Sequence, residues 1–154
     1  MKHVAIVHLQ RTEFENALPL VWNVFIEYEA TDYPEAGKQA FRNAIYSEEY
    51  LNDLDMYGAY EDKELIGVIA TRAHGTHIAL FFVDGRYHRR GIGKKLFWAC
   101  MKNNSSKRIT VHSSLYAAEV YRRLGFTDTG KCQEEGGIRY MPMEWRRQYR
   151  RTER

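Results

Sequence analysis

The chain has 154 residues, 44% hydrophobic and 14% aromatic, which is enough apolar material for one sizeable core and too little length for two ordinary domains. Its 28% of charged residues come with that apolar load, which excludes global disorder. The formal net charge is +3, yet residues 146–154 carry five Arg against Glu153, so the rest of the chain sums to −1 and a broadly basic nucleic-acid binder is disfavoured.

Charge is uneven within that body. Residues 27–62 hold ten acids against Lys38 and Arg42, whereas residues 86–95 hold five bases and no acid, which predicts an acidic pole and a basic one. Two cysteines, Cys100 and Cys132, are too few for a disulfide framework and suit a reducing compartment. The apolar stretch near the N-terminus is shorter than the ~7 to 15 residues of a secretion signal, and no run predicts a membrane span. The expected setting is cytoplasmic. One domain is expected over residues 1–145, with a basic, frayed tail over residues 146–154.

Val4 to Gln10 is rich in β-branched residues and predicts a first strand, after which Thr12-Glu13-Phe14-Glu15 has the spacing of a capping box. Phe14, Leu18, Val21, Phe25 and Tyr28 then share one helical stripe, ending near Glu29. Pro34 opens a second, shorter helix with Ala36, Ala40, Phe41, Ala44 and Ile45. Asp55 to Tyr60, Leu65 to Arg72 and His77 to Val83 predict an antiparallel meander, and Leu80-Phe81-Phe82-Val83 is apolar throughout, as in a strand covered on both faces. Gly91 to Lys102 predicts a helix, Arg108 to His112 a strand, and Leu115 to Leu124 a helix stopped by Gly125. Two last strands, near Phe126 to Gln133 and Ile138 to Trp145, flank a loop at Glu134 to Gly137.

The chemistry-bearing segment is Val83-Asp84-Gly85-Arg86-Tyr87-His88-Arg89-Arg90-Gly91-Ile92-Gly93-Lys94-Lys95-Leu96, a glycine-rich basic loop between a buried strand and a helix. Amides at a helix start are unpaired, the dipole adds positive potential, and glycine lets an anion approach the backbone, so this geometry suits phosphate. A Walker loop ending at Gly93-Lys94 needs Gly at position 88 and Ser or Thr at 95, where His88 and Lys95 stand. A dinucleotide fingerprint from Gly91 needs glycine at Leu96. His74 and His77 flank a hairpin turn with no third ligand in view, so no metal is expected.

What remains resembles the acetyl-CoA loop of the GCN5-related N-acetyltransferase (GNAT) family, read here as His88-Arg89-Arg90-Gly91-Ile92-Gly93 with His in place of the usual Gln or Arg. A second block, Val111-His112-Ser113-Ser114 through Tyr121-Arg122-Arg123-Leu124-Gly125-Phe126, is similar to the family's strand, helix and closing Tyr, three residues, Gly-Phe signature. His112 stands where many relatives have Asn.

The resemblance implies an α+β fold whose mixed, largely antiparallel, splayed central sheet is flanked by helices, with Leu80 to Val83 parting from the strand around Ile109 to His112. It implies acetyl-CoA as cosubstrate, and a primary amine of a small molecule or peptide attacking the thioester in a ternary complex. Cofactor contacts would come from Phe82, Val83, His88, Arg89, Arg90, Gly91, Ile92, Gly93, Lys94, His112, Ser114, Ala117 and Tyr121. Tyr121 would be the general acid, and amides of Phe82 or Val83 the oxyanion donors. For the base, Glu27 and Glu29 lead, with Glu134, Glu135 and a water relay also open. The acidic segment is expected to face the acceptor and draw in cations. No nucleic acid or membrane partner is expected, a homodimer is left open, and the alternative is a non-catalytic acyl-CoA-binding or regulatory module on the same fold.

Overall fold

The computed structural model describes residues 3–148. The elements run β1 Val4–His8, α1 Phe14–Val24, α2 Glu35–Ile45, α3 Glu48–Asn52, β2 Asp55–Glu61, β3 Glu64–Arg72, β4 His77–Val83, α4 Ile92–Lys102, β5 Arg108–Ser114, α5 Ala118–Leu124, β6 Thr127–Asp128, β7 Gln133–Glu135 and β8 Ile138–Arg146. The strands form one sheet in the order β1-β2-β3-β4-β5-β8-β6, with β7 also on β8. The pairs are antiparallel apart from β4 and β5, which run parallel.

Helices cover both faces. On one, α1 buries Phe14, Ala17, Leu18, Val21 and Val24 at helical spacing against Met56, Val68 and Leu80 of the sheet. On the other, α4 buries Ile92, Leu96, Phe97, Cys100 and Met101 beside Ile66, Ile69, Ile109 and Trp145. Strand β4 touches both helices, which is why its sequence is apolar at every position from Leu80 to Val83. Phe97 is fully buried at 0% exposure, with ring edges from Trp98, Phe126 and Trp145 centred 5.0, 5.7 and 5.6 Å away.

The feature that positions the site lies in β4. Opposite β3, Ala70 faces Leu80 and Thr71 faces Ile78, so Ala79 is an extra residue and β4 is bulged there. Pairing with β5 is confined to His77 with Thr110 and Ile78 with Val111, and it stops at that bulge. A bulge bends its strand and sharpens its twist. Beyond it β4 stays with β3 while β5 stays with β8, and the sheet opens as a V.

Several boundaries differ from the sequence expectation. The helix cap lies at Gln10, whose N–H donates to the Glu13 carboxylate at 2.8 Å, and a 3₁₀ turn over Arg11–Glu13 precedes α1. α1 is continued to Glu29 by a π-helical turn, Phe25–Glu29, closed by the Ala30 N–H on the Phe25 carbonyl at 2.8 Å. The short α3, capped by the Ser47 hydroxyl accepting from the Tyr50 N–H, was not anticipated. Residues 126–133 form a two-residue β6 and a separate start of β7, and the turn between β7 and β8 is only Gly136-Gly137, both at positive φ. Arg146 still pairs with Arg108, and Arg147 donates to the Ser106 carbonyl at 3.2 Å and the Asn104 carbonyl at 2.5 Å, so order runs past Trp145. The remainder of the expected tail, from residue 149, lies outside the described residues.

Replacing Phe97 with Ala should remove three ring contacts at once and leave a cavity. The expected loss is roughly 3 to 5 kcal/mol, and about a 10 °C fall in Tm for a chain of this size. A calorimetric change under about 1 kcal/mol would mean that this cluster is not the stabilising centre of the α4 face.

Candidate active site

The V between β4 and β5 holds a cavity of about 190 Å³. Its floor is the parted strands, with Ile78, Ala79, Phe81 and Phe82 on one side and Val111 to Ser114 on the other. Tyr121 and Ala117 close it from α5, Glu29 and Phe25 from the π-turn, Phe41 from α2, and Ile138 and Tyr140 from β8.

Two of the expected catalytic residues meet there. Tyr121 is 6% exposed, its ring held edge-on by Phe81 at 5.8 Å and Phe126 at 5.2 Å, and burial together with the nearby Glu29 carboxylate pushes its phenol well above the usual range. Glu29 enters from the opposite wall. Burial of its carboxyl pushes the pKa up to about 7, against a smaller lowering by a hydrogen bond from the Ser114 hydroxyl. That hydroxyl also accepts the Ala117 N–H at 3.1 Å, so Ser114 serves the turn into α5 and the carboxylate together. Ser114 was also expected against the cofactor.

Glu27, two residues earlier, is exposed, accepts a hydrogen bond from Tyr28 and is not among the lining residues. Glu134 and Glu135 are exposed on β7. Of the ten acids in residues 27–62, Glu29 alone lines the cavity. The acidic pole of the sequence is therefore spread over separate surfaces in space: Asp55 pairs with His8, Glu61 accepts from Tyr87, and Glu35 pairs with Lys38.

The basic loop sits at the open end of β4. Gly91 is the N-cap of α4 at φ +78°, Arg89 is at φ +64°, and the first intrahelical bond runs from the Lys95 N–H to the Gly91 carbonyl. The amides of Ile92, Gly93 and Lys94 thus precede any intrahelical partner and point out of the helix start. A Cβ on Gly91 would meet no protein atom within 4 Å, and one on Gly93 only ordinary contacts of 3.5 Å or more with Phe81 and Val83. Gly93 has no steric reason to be glycine in the protein itself, which is what a surface approached by a ligand requires. These residues fit a pyrophosphate.

Two of the residues expected against the cofactor, His88 and Ile92, also have partners within the protein. The His88 ring is bonded to the Val83 carbonyl at 2.7 Å through Nε2, which leaves at most Nδ1 for a phosphate. The Ile92 side chain is 4% exposed and belongs to the core, so only its amide faces the loop. Arg86 is exposed but tied to Asp84 at 2.9 Å and Glu64 at 2.7 Å, and Arg89, Arg90, Lys94 and Lys95 are exposed as well. The oxyanion donors also sort themselves. Asp84 donates to the Ile66 carbonyl, so by alternation Phe82 faces β3, while the Phe81 and Val83 amides face the V.

His112 lines the cavity with its ring stacked on Tyr140 at 4.4 Å. His77, bonded to Thr110 at 2.8 Å where the strands part, is lowered to about 4 by burial and by Arg72, and is neutral at pH 7. Among the described residues there is no group of three or more His, Cys, Asp or Glu placed to hold a metal, and no helix long and apolar enough to cross a membrane. The sequence reading missed Phe25, Tyr33, Phe41 and Tyr140 as walls; Phe25 and Phe41 had been assigned to helix stripes, whose inward direction was their one available signal.

The architecture recurs in solved structures. A GCN5-related N-acetyltransferase from Rhodopseudomonas palustris superposes with a TM-score of 0.78 at 18% identity, over 95% of this chain and 97% of that one. The PaiA N-acetyltransferase of Thermoplasma acidophilum, solved with coenzyme A, gives 0.75 at 20% identity over 94% and 99%. A protein described as histone acetyltransferase HPA2 and related acetyltransferase, from Corynebacterium glutamicum, gives 0.64 at 18% over 99% and 100%. No curated protein matches the sequence. The profile of the "Acetyltransferase (GNAT) domain" matches residues 29–147, a span that holds the opened β4–β5 pair, the glycine loop and Tyr121, and the chain belongs to the GNAT acetyltransferase family.

Proposed function

We propose that residues 1–145 act as one acetyl-CoA-dependent N-acetyltransferase domain that acetylates a primary amine of a small molecule or peptide by direct attack. The observation that carries this reading is the meeting of Glu29 and Tyr121 in one cavity at the opening of β4 and β5. Free thiols at Cys100 and Cys132 suit a cytoplasmic setting.

Acetyl-CoA lies with its pyrophosphate over the amides of Ile92, Gly93 and Lys94, while Arg89, Arg90 and Lys94 add charge at the rim. Its pantetheine follows the free edge of β4, and the thioester reaches the cavity. The acceptor enters as an ammonium. Glu29, poised at about 7, takes one proton and frees the nitrogen lone pair. The nitrogen attacks the carbonyl carbon, the oxyanion is met by amides on the V side of β4, and the C–S bond then breaks. The departing thiolate takes a proton from Tyr121, and the second proton that the nitrogen sheds passes to the tyrosinate and restores the phenol. A phenol held so far above its usual range is a weak acid, but the same dryness makes a thiolate more basic. In this core burial lifts even the Cys100 thiol to about 12. The products are an amide, a free thiol and one proton returned through Glu29.

Gly93→Asp should abolish CoA binding in calorimetry while Tm stays within a few degrees, since its Cβ makes only ordinary contacts of 3.5 Å or more with Phe81 and Val83 but the side chain places a carboxylate under the phosphates. Unchanged affinity would remove the loop from donor binding.

Tyr121→Phe keeps the packed ring and deletes its proton. Turnover should fall roughly 10² to 10⁴-fold with the acetyl-CoA Kd nearly unchanged. Full activity would return Tyr121 to the core.

Glu29→Gln should remove the limb of kcat/KM that rises through about pH 7. It has a second signature without substrate. The folded state keeps the Glu29 proton up to about 7, whereas the unfolded chain releases it near 4.5, so the stability it contributes is present below about 4.5 and lost as pH rises through 7. Gln has no proton to lose. The variant should gain Tm relative to wild type at pH 8 and show no such gain at pH 4.5, and equal differences at both would mean that Glu29 is ordinarily hydrated.

A further inference from the structure

Resting on the amine-transfer reading above, we propose that the acceptor is a compact primary monoamine with an apolar body, and that the cavity discriminates against di- and polyamines. The acceptor side is an aromatic wall. Phe25 stacks on Phe41 at 3.9 Å, Tyr33 leans on Phe25 at 5.7 Å, and Phe82 on Phe41 at 6.2 Å. Tyr140, stacked on His112, completes it from β8.

The wall is closed by contacts between the start of α2 and the β7–β8 hairpin. The Tyr33 hydroxyl donates to the Arg139 carbonyl at 3.4 Å. The Cβ position of Gly37 lies 3.1 Å from Ile138, and that of Gly137 lies 2.7 Å from Pro34. The space of about 190 Å³ is below the ~300 to 1,000 Å³ of drug-sized ligand sites, which leaves room for a small body beside the thioester.

Within that wall there is one carboxylate, Glu29. One ammonium entering the cavity finds its counter-charge in Glu29. A second ammonium on the same molecule would be desolvated against Phe25, Phe41 and Phe82 with nothing to pair it. An apolar body gains from the same surface.

The test compares four acceptors by CoA thiol release: 2-phenylethylamine, butylamine, 1,4-diaminobutane and spermidine. Butylamine and 1,4-diaminobutane differ by the second amine alone. We expect kcat/KM at least tenfold higher for butylamine than for its diamine, and highest for 2-phenylethylamine. Phe41→Asp, which adds a second carboxylate to the wall, should narrow the butylamine to diaminobutane ratio at least fivefold. Phe41→Leu, which keeps the wall apolar, should preserve that ratio, and calorimetric acetyl-CoA binding reports that each variant is folded.

Equal or better use of 1,4-diaminobutane or spermidine by the wild type overturns the proposal, as does an unchanged ratio in folded Phe41→Asp. Thiol release from none of the amines overturns the transferase reading instead. In that event titration of the CoA-loaded protein decides the selectivity on its own, with tighter binding of 2-phenylethylamine than of spermidine supporting it and the reverse order sinking it.

Discussion

The bulge at Ala79 is the constraint on which the site depends. A parallel pair such as β4 and β5 would, if continuous, satisfy its own edge groups and leave no room between the strands. One extra residue in β4 ends that pairing after Ile78. The cost is a row of unpaired backbone groups on β4, among them the Phe81 and Val83 amides, and an unpaired row is what an extended acyl chain can use. The opening is held from both sides. β5 is locked to β8 over seven residue pairs, from Arg108 with Arg146 to Ser114 with Tyr140, and β4 is held on β3 to Val83. The V is therefore a fixed feature of two rigid half-sheets.

Into that V the fold brings two titratable groups from elements far apart in sequence. Tyr121 comes from a helix entered through the Ser114 turn, and Glu29 from the π-turn that ends α1. An α-helix continued over the same residues would place Glu29 on another bearing, since a π-turn adds a residue to one turn. Ser114 links the two sides. Its hydroxyl partly offsets the desolvation of Glu29, so the carboxyl is left near neutrality, where it can both hold and release a proton at physiological pH.

How much of this the sequence revealed depends on whether the backbone or a side chain does the work. The meander, both long helices and the glycine loop were legible because periodicity and positive-φ glycines leave marks in composition. The loop in particular needs bare backbone, and Gly91 and Gly93 announce it. The bulge left no mark, because Ala79 sits in an apolar run where alternation cannot be counted. The base could not be chosen between Glu27 and Glu29, since the π-turn that separates an exposed residue from an enclosed one has no sequence signature here. His88 fits the motif position, yet its ring is engaged with the Val83 carbonyl, a contact set by the turn.

The same distinction bears on the acidic segment. Ten carboxylates close in sequence were expected to make a field over the acceptor, but α2, α3 and β2 point most of theirs outward, as water-facing residues of amphipathic elements must. From those elements only Phe41 lines the cavity, beside Phe25, Tyr33, Phe82 and Tyr140 from elsewhere in the chain. The two ends of the site thus differ in chemistry. The cofactor end is exposed, cationic and built from amides, so any GNAT-like loop can supply it. The other end is enclosed by side chains of the π-turn, α2 and β8, with one carboxylate among them. A motif can announce the first because backbone geometry constrains residue type. The second is written in packing, where Phe25, Tyr33 and Phe41 look in the sequence like any other core residues.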